Sequence, residues 1–133
     1  MSTTKLPHDH GQLIEHDFSH MPSVDDFKTV SDFFHLLGDA SRIRIFWLLC
    51  HCEECVINLS SMMDMSSPAV SHHLKQLKSS GLIVSRREGK EVYYKASEAQ
   101  PAQQLHLMIE RLVEITCPSI DECTERDSCH DKQ

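Results

Sequence analysis

SSPAVSHHLKQLKSSGLIVSRREGKEVYY, running from Ser66 to Tyr94, is the stretch whose reading decides the fold. Pro68 suits a first helical turn, where its missing N–H costs nothing. It also pushes Ser67 out of the α region, where serine makes a good N-cap. Val70, Leu74 and Leu77 then recur at helical spacing, so one stripe faces inward. Ser71, His72, Lys75, Gln76 and Lys78 fall on the other face, and Gly81 ends the helix at C′. Leu82-Ile83-Val84 and Val92-Tyr93-Tyr94 flank a charged tip, Arg86-Arg87-Glu88-Gly89-Lys90. This reads as a β-hairpin in which Gly89 supplies the positive φ of the turn.

A short helix with hydrogen-bonding side chains outward, followed by a basic hairpin, suits duplex DNA. The helix fits a major groove, and the hairpin tip reaches the backbone or the minor groove. Between Ser66 and Lys95 six lysines and arginines face only Glu88 and Glu91, so the window is net +4. The whole chain is −7, which leaves −11 elsewhere. Positive charge is concentrated where the helix-hairpin pattern lies, and local field matters more for DNA than net charge. The competing reading is a solvated basic face on another small α+β domain. The residues expected at DNA are Ser67, Ser71, His72, Lys75 and Gln76 from the helix and Arg86, Arg87 and Lys90 from the hairpin.

Working outward, the 133 residues allow one domain with tails. Residues 1–22 read as a flexible arm in which His8, His10, His16 and His20 either hold a metal ion or are incidental. A helix is expected from about Val24 to Leu37, with Phe27, Val30, Phe34 and Leu37 as its stripe. Asp39 or Ser41 caps the next, whose apolar residues from Ile43 to Leu49 make it the buried centre. A short helix from Val56 to Asp64 and the turn Asp64-Met65-Ser66 complete a helix-turn-helix, and the hairpin makes it winged. The last helix, about Ala102 to Thr116, carries Leu105, Met108, Ile109, Leu112 and Val113. That stripe exceeds what so small a core can bury, so first and last helices are expected to pair in a homodimer. The fold class expected is mostly α with a small β-hairpin wing: a winged helix-turn-helix over residues 23–117, followed by an acidic, cysteine-containing tail over 118–133. No apolar run approaches the roughly 20 residues of a membrane span, and residues 1–20 lack the apolar core of a secretory signal. A cytoplasmic protein with reduced thiols is expected.

Five segments together carry a family resemblance: GDASRIRI (38–45), ECVINL (54–59), SPAVSHHLKQL (67–77), GLI (81–83) and REGKEVYY (87–94). The chain resembles the ArsR/SmtB family over roughly residues 24–115. The resemblance implies a dimeric winged-helix repressor that leaves operator DNA when it binds a metal ion, and no enzymatic activity. It transfers the metal ligands less completely. Family members often carry a Cys-Val-Cys box in the short helix before the recognition helix; here Cys55 holds the first position and Ile57 the second. A second family site lies along the last helix. This chain offers Glu98, Gln100, His106, Arg111 and Glu114 there, and arginine and glutamine are poor ligands, so that site is not carried over.

The sensor chemistry then rests on six cysteines, in two clusters. Cys52 and Cys55, three apart at a helix boundary, can bite one metal if the backbone turns. Cys117, Cys123 and Cys129 converge only if the tail folds over, from the same or the partner subunit. Thiolates select Zn, Cd, Pb, Cu(I) or As(III) and exclude Mg2+ and Ca2+. Cys50 reads as a small core hydrophobe and His106 as a solvated helical histidine. The alternative function is a thiol redox sensor on the same scaffold. A C-x-x-C oxidoreductase lacks its βαβ context here.

Overall fold

The structure, a computed structural model, describes residues 6–117. The chain divides into two compact units, one through His35 and one from Leu36 onward. The division expected after residue 22 runs through the first of these. That unit holds α1 (Glu15–Ser19) and nearly all of α2 (Val24–Leu36). The short α1 lies in the segment expected to be an arm without structure. Ahead of α2, Ser23 and Asp26 cap each other reciprocally: the Ser23 N–H donates to Asp26 Oδ2 and the Asp26 N–H to Ser23 Oγ, both at 3.1 Å.

The second unit runs α3 (Ala40–His51), β1 (Glu54–Cys55), α4 (Val56–Met63), α5 (Ser67–Ser79), β2 (Ile83–Glu88), β3 (Glu91–Ala96) and α6 (Gln100–Thr116). Asp39 caps α3, accepting from the Arg42 N–H at 2.9 Å. Ile45, Phe46 and Leu49 bury that helix against α5 and β3, as its composition predicts. Trp47 does not join them: it is partly exposed and turned toward α6. Leu59, Val70, Leu74, Leu77, Leu82 and Ile83 close the core from the other elements.

Helix α4 ends at Asp64, whose left-handed backbone (φ +53°) starts the tight turn into α5. The cap of α5 is Ser66, one residue before the serine expected. Its Oγ accepts from the Ala69 N–H at 3.3 Å, and Pro68 still falls in the first turn. Gly81 closes the helix as expected, with φ +82°. The Leu82 N–H returns to the Leu77 carbonyl and the Gly81 N–H to that of Lys78, a Schellman pattern.

The wing is larger than the hairpin foreseen. β2 and β3 pair antiparallel from Ile83↔Ala96 to Glu88↔Glu91, with Gly89 (φ +62°) in the two-residue loop. β1 adds to the other edge of β3, Glu54 opposite Tyr94 and Cys55 opposite Tyr93, giving the order β1-β3-β2. Two residues carry too little alternation to be read as a strand. α6 begins at Gln100, two residues ahead of the Ala102 expected, with Pro101 in its first turn. Among the described residues no helix is long and apolar enough to cross a membrane.

Candidate functional site

Helix α5 presents Ser71, His72, Lys75 and Lys78 to solvent, while Val70, Leu74 and Leu77 hold it to the core. Ser67 is exposed at its first turn and shares a 3.1 Å hydroxyl contact with Ser60 of α4, which ties the two helices at the turn. Gln76 is half-buried, and its Oε1 is enclosed with no partner among the described residues, so it offers a groove less than its place in the sequence suggests. His73 faces inward. Arg42, a buried cation, donates from Nε to His73 Nδ1 at 3.3 Å and from Nη1 to the Leu36 carbonyl at 2.7 Å. Burial lowers the His73 pKa; the Asp39 carboxylate, 4.0 Å from its Nε2, opposes that only in part. A neutral ring then accepts from Arg42 through Nδ1 and keeps its proton on Nε2. This link from the N-terminus of α3 to α5 was missed in the sequence, where an arginine reads as exposed.

The wing arginines divide. Arg87 and Lys90 are exposed at the tip, Arg87 reaching only the Gly89 carbonyl at 3.4 Å. Arg86, expected beside them at phosphate, lies over the Tyr93 ring at 4.9 Å and is held by Glu53 and Glu88, each at 2.6 Å. Those two hydrogen-bonded carboxylates raise its pKa further, and Arg86 in turn holds the Glu53 carboxyl below its usual range. Glu53 immediately precedes β1, so Arg86 reaches across β3 and fastens the wing to the segment between α3 and α4.

The cysteine segment is extended where a chelating turn was expected. Cys52 caps α3 at φ −150°, its Sγ–H donating to the Leu48 carbonyl at 3.2 Å. Cys55 is buried at the start of α4 and paired across the sheet to Tyr93. Side chains three apart in extended backbone point to opposite faces. Cys50 is half-buried, not in the core. Burial, with the Glu110 charge added, pushes its thiol up to about 11. Burial and then Glu54 raise Cys52. Cys117 is exposed; Cys123 and Cys129 lie outside the described residues.

Among the described residues one set of three side chains converges as metal ligands do: His51 at the end of α3 with His106 and Glu110 of α6. Beside it an open groove of about 350 Å³ is lined by Cys50, His51, Cys52, Glu98 and His106, among others. His51 and Glu110 were not singled out in the sequence. The available signal was a pair of i, i+4 spacings, Trp47 with His51 and His106 with Glu110.

A helix-turn-helix with a three-stranded wing defines the winged-helix class. The sequence pattern described as "Bacterial regulatory protein, arsR family" matches residues 39–85. The arsenical resistance operon repressor of Staphylococcus aureus is 33% identical over 73 residues, 55% of this chain and 70% of that protein. The chain belongs to the arsR family, one of regulatory proteins and not of enzymes. The cadmium resistance transcriptional regulatory protein CadC of Listeria innocua is 41% identical over 70 residues, 52% of this chain and 59% of that one. Several curated relatives are matched over only 58–60% of their length. The fold is also that of the homodimeric winged helix-turn-helix DNA-binding domain of a possible ArsR-family regulator from Mycobacterium bovis. That likeness has a TM-score of 0.61 and 25% identity, over 71% of this chain and 89% of that one.

Proposed function

We propose that this chain is a homodimeric transcriptional repressor that binds operator DNA through α5 and the wing tip and releases it when a soft or borderline metal ion binds its cysteines. The observation that carries the DNA half is the exposed, cationic face made by Ser71, His72 and Lys75 with Arg87 and Lys90. A named relative that is an arsenical operon repressor and another that is a cadmium resistance regulator support the repressor and metal halves. Dimerisation is supported by α6, which buries only Ala102 within this chain and leaves Leu107, Met108, Leu112 and Ile115 exposed.

Cys52 and Cys55 are the proposed core of the sensor, with Cys117, Cys123 and Cys129 as further thiolates. The ions that fit are Zn, Cd, Pb, Cu(I) or As(III). To hold one ion the extended 52–55 segment must close into a turn. That closure pulls on β1, hence on β3 of the wing, and on the start of α4, hence on α5. A coupling of ~1–3 kcal/mol gives roughly 5–150-fold weaker DNA binding. A metal must displace the thiol proton on binding, and burial and then the Glu54 charge hold that proton more tightly on Cys52. Affinity for the ion should therefore climb as pH rises from 6 to 8.

Cd2+–thiolate ultraviolet absorbance tests the ligand set. Cys55→Ser and Cys52→Ser should each lower the absorbance per chain and abolish or weaken DNA release, with DNA affinity in the absence of metal unchanged. Full absorbance and full release in both variants would place the sensor elsewhere.

A further inference from the structure

We propose that His51, His106 and Glu110 form a second metal site, built within one chain from α3 and α6, for a borderline divalent cation of the Zn2+, Co2+ and Ni2+ class. His51 Nε2 lies 3.2 Å and His106 Nε2 3.0 Å from Glu110 Oε1, and the two Nε2 atoms are 3.2 Å apart. Donor atoms on a four-coordinate zinc ion, with bonds of ~2.0–2.1 Å, stand about 3.3 Å from one another. The three side chains are thus already at the edge lengths of a ligand triangle.

Protons alone do not satisfy that triangle. With hydrogen on both Nε2 atoms, both rings donate to Glu110 but two N–H groups oppose each other across 3.2 Å. With hydrogen on one, the other ring turns a lone pair to the carboxylate. A cation satisfies all three edges at once, because each group then offers a lone pair. Trp47 donates from Nε1 to Glu110 Oε1 at 3.0 Å and stacks on His51 at 4.2 Å between centroids, so the ligands have an outer shell that orients them. The His51 and Glu110 side chains remain 45% and 40% exposed, which leaves a path for an ion and a fourth position for water.

Two imidazoles and a carboxylate suit borderline ions; they disfavour Cu(I), which seeks sulfur, and Ca2+, which seeks oxygen. The site is therefore distinct in chemistry from the cysteine set, and it does not rest on the DNA-release reading. It joins the last residue of α3 to the helix proposed for dimerisation.

Trp47 is the one tryptophan of the chain, so its fluorescence reports on the site. The probe is Co2+, added to the full-length protein carrying Cys52→Ser and Cys55→Ser. One Co2+ per chain should quench Trp47 and give visible ligand-field bands without a sulfur-to-cobalt charge-transfer band, and Zn2+ should reverse both. His51→Ala removes an exposed ligand with little consequence for folding. Glu110→Gln keeps the volume and hydrogen bonds of the carboxylate. Each should weaken Co2+ by roughly tenfold or more, since even outer-shell partners of a metal are worth 10–100-fold. Unchanged Co2+ affinity and quenching in His51→Ala would overturn the proposal, as would quenching accompanied by a strong sulfur charge-transfer band.

Discussion

At the scale of single residues, Arg42 and His73 set how α5 is held. Arg42 is a buried cation whose partners are the Leu36 carbonyl and His73 Nδ1. Replacing it with Met keeps the apolar stem and leaves two acceptors unpaired, so urea unfolding should show a loss of about 1–3 kcal/mol. His73 adds a pH dependence. Its folded pKa is lowered by burial, so the unfolded chain takes up a proton more readily. Stability is therefore full above the unfolded value of about 6.5 and falls as pH drops through it. His73→Gln should flatten that fall in melting temperatures measured from pH 7.5 to 5.5. Asp39 was legible as one of two candidate caps, beside Ser41, because both are short polar side chains ahead of an apolar run. Arg42 was not, because the sequence gives no sign that its charge has a histidine from another helix to meet.

Among the elements, the helices of the helix-turn-helix were legible because spacing, caps and glycine agree. α5 is displaced only in its cap, from Ser67 to Ser66. Gly81 has φ +82°, and a Cβ there would meet nothing within 4 Å. Gly81→Ala should thus cost only the left-handed backbone preference, about 1–2 kcal/mol, and Gly81→Asn less. β1 and the role of Arg86 were not legible, since β1 pairs with residues some forty positions away and Arg86 is held by Glu53, 33 positions away. The consequence is a split among wing cations. Arg87→Ala and Lys90→Ala should each flatten the slope of log affinity against log salt by about 0.9. Arg86→Ala should leave the slope nearly unchanged and instead lower affinity through a misplaced wing. Equal slopes in Arg86→Ala and Arg87→Ala would contradict the division.

For the whole molecule, the amphipathic spacing of α6 was legible, whereas its companions were not: a helix stripe states that something covers it and not what. Leu112 is half-exposed within this chain. Leu112→Asp should put a charge into the proposed dimer seam and yield monomers in sedimentation, with little affinity for a palindromic site. The cysteine tail is the part of the proposed sensor that lies outside the described residues. In the proposed mechanism metal binding and DNA binding are coupled in one dimer. The most direct test of that coupling is fluorescence anisotropy of a labelled duplex, selected from a random library by the metal-free protein, with thiols reduced and Cd2+ added at fixed salt. Cd2+ should weaken the complex by roughly 5–150-fold at saturation, and a chelator should restore it. Stoichiometric Cd2+ binding with DNA affinity unchanged would contradict the account.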